Sequence, residues 1–178
     1  MTAPEPAGSA DLPEDFAIDI TLSVEGWPEE DALRALCTTA LGAAFREAAL
    51  EAVDGSEVSL VFTDDAAIRE LNRDWREKDK PTNVLSFPGS DPDGELYGPL
   101  LGDIVFALET VQREADEMEI EFSAHLTHLV VHGILHLFDY DHQDDEEAEL
   151  MEGLERRILA SLGIADPYAD RPLEADPE

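Results

Sequence analysis

Four stretches of the chain have the apolar pattern of β-strands. In residues 16–24 apolar and polar residues alternate (Phe-Ala-Ile-Asp-Ile-Thr-Leu-Ser-Val), which predicts a strand buried on one face. Residues 58–62 and 82–87 are short runs of strand-forming residues. Residues 102–107 (Gly-Asp-Ile-Val-Phe-Ala) are almost continuously apolar, which favours a central strand covered on both faces.

Apolar residues spaced three and four apart predict helices before, between and after these strands. Pro28 and the acids that follow it suit a first helical turn, whereas the Ala-rich stretch up to Leu50 leaves the end of that helix open. Later helices are predicted from Thr63–Asp65 to about Trp75, over 109–118, over 122–138, and from Asp144 to Gly163. In the second of these helices Trp75 falls on the apolar face, with Ile68 and Leu71.

The order of these elements predicts an α+β fold in a single domain, with a roughly four-stranded mixed sheet packed with about five helices. Residues 16–165 form the predicted domain. Residues 1–15 and 166–178 are rich in Pro and acids, and we expect both segments to be disordered tails.

Length and composition agree with one globular domain. The chain has 178 residues, of which 43% are hydrophobic, and no apolar run approaches the ~20 residues of a membrane span. The N-terminal segment has no signal-peptide pattern, so we expect a cytoplasmic protein. Cys37 is the single cysteine, which excludes an internal disulfide, and its Ala- and Leu-rich surroundings predict a small buried hydrophobe.

Net charge argues against nucleic acid as a partner, because 43 acidic and 11 basic residues give −32. The distribution of the basic residues weakens this argument. Five of them lie within twelve residues, which predicts a local basic patch at Arg69, Arg73, Arg76, Lys78 and Lys80.

Residues 132–142 read His-Gly-Ile-Leu-His-Leu-Phe-Asp-Tyr-Asp-His. His132 and His136 are four residues apart in an apolar run, so on a helix both imidazoles leave the same face one turn apart. His142 follows a polar cluster that can end the helix and turn the chain back. Three neutral imidazoles favour one Zn²⁺ ion and leave a fourth tetrahedral position open, as in catalytic zinc sites.

The histidine pair alone leaves a second interpretation open, because a buried histidine on an apolar helix face is often a core residue. His142 is what favours a metal site. His125 and His128 extend the same helix face but lie too many turns from His142 to share one tetrahedron. We expect them to be core or supporting residues, with His128 nearer the site.

The general base of zinc peptidases, a Glu directly after the first histidine, is absent because Gly133 occupies that position. The pattern His-Gly-x-Leu-His-Leu-x-x-Tyr-Asp-His instead resembles the signature of the YbeY family of bacterial metal-dependent endoribonucleases. Only the glycine before the tyrosine is missing, and Asp139 stands in its place. Further blocks resemble the family in order and spacing, namely Leu71-Asn72, Trp75-Arg76, Asp79, 82–87 and 101–104.

The resemblance covers roughly Ile18 to Tyr168, and it implies one zinc ion held by His132, His136 and His142. It also implies that Arg76 lies in the active cleft, although an arginine at a helix end can equally pair with Glu77 or Asp79. The implied activity is single-strand-specific RNA cleavage, in maturation of the 3′ end of 16S rRNA and late ribosome quality control. The implied partners are single-stranded RNA and the small ribosomal subunit, without DNA or a membrane.

Two other classes of function remain open from the residues themselves. One is a zinc hydrolase of a peptide or small molecule, which the helical histidine pair favours and Gly133 opposes. The other is a non-catalytic ribosome-binding factor with a structural metal, which an open coordination position opposes.

Overall fold

A mixed four-stranded sheet organises the computed structural model, which describes residues 12–13, 15–89, 98–138, 140 and 144–164. The strands lie in the order β1-β2-β4-β3. Their bounds are β1 Ala17–Leu22, β2 Glu57–Thr63, β3 Val84–Pro88 and β4 Leu100–Ala107. Strands β1, β2 and β4 are parallel, and β3 runs antiparallel to β4. The almost continuously apolar strand β4 is central, as its sequence predicts.

Five helices cover this sheet: α1 Glu30–Glu47, α2 Asp65–Arg76, α3 Leu108–Met118, α4 Phe122–Leu137 and α5 Asp145–Ser161. The main core lies between the sheet and the layer that contains α1, α4 and α5. A smaller cluster, which includes Ile68 and Leu85, packs α2 against the opposite face. The predicted α+β fold with a mixed sheet and five helices is therefore confirmed.

Helix α4 is the central helix of the larger layer, with 12 of its 16 residues buried. It can lie close to the sheet because Gly133 has no side chain. A Cβ atom at this position would be 2.7 Å from Cγ2 of Ile104 in β4, which is closer than real Cβ contacts. The Ser86 hydroxyl of β3 donates a hydrogen bond to the Gly133 carbonyl oxygen at 3.2 Å. The glycine that replaces the peptidase glutamate is thus required by packing.

One prediction about a helix face is wrong. Trp75 is 71% exposed, although Ile68 on the same predicted apolar stripe is fully buried. The apolar residues of α2 become less buried towards the end of the helix, where Leu71 is only half-buried. The disordered tails stay predictions, because residues 1–11, 14 and 165–178 lie outside the described part of the chain.

Cys37 is fully buried in α1, as predicted for a small hydrophobe. Burial raises the pKa of its thiol to about 12, and the nearby charge of Arg34 opposes this rise. The neutral thiol therefore stabilises the fold below the ordinary thiol pKa, and this contribution is lost as pH rises towards the folded value. Within the described residues, no helix has the length and apolarity to cross a membrane.

Cys37 should be unreactive while the chain is folded, because almost no thiolate exists at about pH 8 and the sulfur is covered. We expect a disulfide reagent to label the urea-unfolded chain completely in the time that leaves the native chain unlabelled. The measurement is absorbance of the released thiol. Native labelling at the rate of a small free thiol would contradict this prediction.

Candidate metal centre

His132 and His136 bring two ring nitrogens together at the C-terminal end of α4. Their Nε2 atoms are 3.0 Å apart, and His132 is buried whereas His136 is half-buried. Two nitrogen ligands on one tetrahedral zinc ion would lie about 3.3 Å apart, given Zn–N bonds of ~2.0–2.1 Å. The negative end of the α4 dipole also favours a cation here. The pair therefore fits two ligands of one metal ion.

A buried carboxylate holds the other nitrogen of His132. Glu155 of α5 is only 1% exposed, and its Oε2 lies 2.9 Å from Nδ1 of His132. Its Oε1 lies 2.5 Å from Nε2 of His128. An ionised carboxylate only accepts hydrogen bonds, so both imidazole nitrogens must donate. In neutral His132 this arrangement leaves the lone pair on Nε2, the atom that faces His136.

The charge of Glu155 is maintained against its burial. Burial by itself raises the pKa of a carboxyl group. Electrostatic attraction by the His132 and His128 rings and the hydrogen bonds that both rings donate act in the opposite direction, and they hold the pKa of Glu155 well below its usual range. Glu155 is therefore a carboxylate that orients His132, as carboxylates commonly do behind histidine ligands of metals.

His125 lies one turn before His128 and two turns before His132 in α4, and it belongs to a different cluster. Its Nε2 is 2.8 Å from Oε1 of Glu114 in α3, and the Asn83 side-chain amide donates to the same oxygen at 3.0 Å. This cluster connects α4, α3 and the segment before β3. The structure thus places His125 in a packing role and His128 beside the candidate ligands, as expected for both.

His142, the third expected ligand, lies outside the described residues, as do Asp139 and Asp141. Among the residues that the structure describes, no three His, Cys, Asp or Glu side chains form a group that could hold a metal. The backbone N–H of Tyr140 donates to the carbonyl oxygen of Leu135 at 3.0 Å, which holds Tyr140 against the last turn of α4. The set of three ligands stays a prediction.

Arg76 is half-buried and is the last residue of α2, whose buried residue Ile68 packs on the face of the sheet opposite α4. The expected alternative partner Asp79 forms a two-pronged ion pair with Arg69, at 2.8 and 3.3 Å. Arg73 pairs with Asp74 at 3.2 Å. Residues 69–80 contain four acids beside the five cations, so this segment is less basic than the number of cations predicts.

Glu155 is the residue that the sequence patterns did not single out. Its signal was an acid inside the apolar stripe of the last helix, between Leu154 and Ile158. A carboxylate at a core-facing position requires buried hydrogen-bond donors. The histidines of α4 are the buried donors that contact it.

Comparison with known proteins identifies relatives over most of the chain. A family model described as Endoribonuclease YbeY matches residues 21–163. A protein named Endoribonuclease YbeY from Sinorhizobium fredii (strain NBRC 101917 / NGR234) is 56% identical over 164 residues, which cover 88% of this chain and 95% of that protein. One of the same name from Rhizobium etli (strain CIAT 652) is 54% identical over 168 residues, covering 90% and 98%.

The fold is also similar to the solution structure of TM1509 from Thermotoga maritima. The two chains are 26% identical and superpose with a TM-score of 0.51, over 89% of this chain and 99% of the other. The similarity extends across the whole domain.

Glu155→Ala should destabilise the chain by about 3 kcal/mol or more, because it leaves two buried imidazole donors without an acceptor. The measurement is the free energy of unfolding in urea with a chelator present, so that metal binding does not contribute. Glu152→Ala is the matched control, since Glu152 lies on the same helix and forms only a partly exposed pair with Arg156 at 3.8 Å. That control should change stability by less than about 0.5 kcal/mol. Equal effects of the two variants would contradict the role of Glu155.

Proposed function

Because the chain belongs to the endoribonuclease YbeY family, we propose that it is a zinc-dependent endoribonuclease specific for single-stranded RNA. We further propose that it acts in the cytoplasm on 16S rRNA of the small ribosomal subunit, in 3′-end maturation and late quality control. The observation that supports the zinc site is the pair of Nε2 atoms 3.0 Å apart, with His132 oriented by a buried carboxylate.

His132, His136 and His142 would hold the zinc ion in this proposal. A bound zinc ion lowers the pKa of a coordinated water towards neutrality and polarises a phosphoryl oxygen. Glu155 holds His132 in the tautomer whose Nε2 is available to the ion. His132 is buried in the core, which keeps bulk water away from one side of the pair, whereas His136 is half-buried and partly exposed to solvent.

Arg76 would bind the phosphodiester that is cleaved. Attack at phosphorus increases the negative charge on the phosphoryl oxygens, and a guanidinium group can donate two parallel hydrogen bonds to them. The resemblance of Trp75-Arg76 to a family motif supports this role.

Peptide hydrolysis by the same histidines has no structural support. The glutamate that zinc peptidases use as a general base would have to stand at position 133, where even a Cβ atom would be 2.7 Å from Ile104. An assay would distinguish the proposed nuclease from a ribosome-binding factor with a structural metal. Such a factor would unfold when its metal is removed, and it would not cleave RNA. RNA cleavage that a chelator abolishes and added zinc restores would support the enzyme.

His136→Ala should abolish stoichiometric zinc binding, because it removes one of the two paired nitrogens. His128→Ala is the comparison variant, since Nε2 of His128 contacts Oε1 of Glu155 and is not one of the two paired Nε2 atoms. The measurement is elemental analysis of the purified folded proteins. Zinc retained by His136→Ala and lost from His128→Ala would show that the ligand set is wrong.

Arg76→Ala should keep its fold and zinc but lose about 100-fold or more in cleavage rate, the usual effect of removing a preorganised donor to the transition state. The measurement is single-turnover cleavage of a single-stranded RNA at saturating enzyme. Arg113→Ala provides a control, because it removes an exposed arginine that lies 3.9 Å from Glu117 on another helix. A full cleavage rate in zinc-loaded Arg76→Ala would overturn the role of this residue.

A further inference from the structure

Trp75 is a large aromatic side chain that the fold leaves in solvent. It is 71% exposed, and the other tryptophan, Trp27, is instead packed edge-on against Phe62 and donates its indole N–H to the Thr63 carbonyl oxygen. Helical spacing places Trp75 one turn beyond Leu71, in line with the residues that pack α2 on the sheet. The apolar face of α2 thus continues at Trp75 beyond the part of the helix that packs on the sheet.

The exposed ring of Trp75 is nevertheless held in place. One edge contacts Phe87 of β3, with ring centroids 6.2 Å apart and planes at 70°. The end of α2 is fixed by Glu77, whose backbone N–H donates to the carbonyl oxygens of Arg73 and Asn72. The Asn72 side-chain amide also donates to the Lys80 carbonyl oxygen at 2.9 Å. Trp75 therefore presents a preorganised aromatic surface and loses little conformational entropy on contact with a ligand.

The charge around Trp75 suits a nucleic acid better than the chain as a whole does. Residues 69–80 carry five cations and four acids, whereas the whole chain carries −32. A net charge of one unit gives weak attraction for phosphates, particularly because two of the cations pair with Asp79 and Asp74. Base stacking on an aromatic ring does not depend on charge, so it can supply affinity that phosphate contacts do not.

Strand β3 connects Trp75 to the histidine pair. Phe87, which supports Trp75, packs with the α2 cluster on one face of the sheet. The preceding residue, Ser86, contacts the other face, where its hydroxyl donates to the Gly133 carbonyl oxygen beside His132. In the described part of the chain β3 is an edge strand of the sheet, so the face that carries Trp75 and the face that carries α4 lie on either side of one edge.

We propose that Trp75 is a stacking site for one unpaired nucleobase of the RNA substrate. This inference rests on the proposed function, since it assumes that the histidine pair cleaves the same strand. The site selects single-stranded RNA because a base within a duplex has both faces covered by its neighbours, whereas an unpaired base can stack on the indole ring. Phe87 and the fixed end of α2 orient that ring.

The test uses the full chain with a chelator, so that RNA binds without being cleaved. Tryptophan fluorescence is followed during titration with a short single-stranded RNA. We expect saturable quenching in the wild type and about tenfold weaker binding in Trp75→Ala, the scale expected for loss of one base–aromatic stack. Trp75→Phe, which leaves Trp27 as the sole tryptophan, should lose the quenching but retain more affinity than Trp75→Ala. Binding of the variants is measured by anisotropy of labelled RNA.

Two controls make the result specific. Leu150→Ala removes a similarly exposed apolar side chain from α5 and should leave RNA affinity unchanged. An oligonucleotide of the same length and charge without bases should bind wild type and Trp75→Ala equally weakly.

Wild-type cleavage of RNA without quenching, or with unchanged affinity in Trp75→Ala, would overturn the stacking site and leave the proposed nuclease standing. An effect of Trp75→Ala on self-association alone would also overturn it and assign this surface to a protein contact. Zinc-loaded wild type that neither binds nor cleaves RNA would overturn both proposals.

Discussion

The candidate site depends on a single buried carboxylate, that of Glu155. Removing a carboxylate from water costs several kcal/mol, and this cost is offset only when good donors surround the charge. His128 and His132 provide those donors, at 2.5 and 2.9 Å. The same interaction attaches α5 to α4 and fixes the tautomer of His132. The Glu155 contact therefore contributes both to the packing of α5, beside its buried apolar residues, and to the orientation of His132.

The position of this contact is set by how closely α4 approaches the sheet. Gly133 lies against Ile104 and Ser86, so the helix and the sheet are in contact one residue after His132. A larger side chain there would push the C-terminal turns of α4 outward and change the distance from His132 to Glu155. The site thus requires a glycine for packing at the place where a zinc peptidase requires a glutamate for chemistry.

Much of this architecture could be predicted from the sequence, because it follows from periodicity and local chemistry. The order and type of all nine helices and strands in the described part of the chain follow from apolar spacing, strand-forming residue types and helix-end signals, and the i, i+4 histidines do meet on one face of α4. What the sequence could not show depends on tertiary contacts. Glu155 looks like an ordinary helical acid until α5 is placed on α4. Trp75 looks like a core residue until the extent of the sheet beneath α2 is known.

The same distinction between local and tertiary properties explains how so acidic a chain can act on RNA. At about 0.1 M salt, charges further than ~10 Å from a bound phosphate are largely screened, so the acids nearest the contact matter most. Near α2 those acids are partly neutralised in place, since Asp79 binds Arg69 and Asp74 binds Arg73. These pairs remove local repulsion but also use cations that could otherwise bind phosphate. On the proposed RNA-binding surface, stacking on Trp75, which is exposed and supported at one edge by Phe87, would add affinity that does not require net charge, beside the phosphate contact proposed for Arg76.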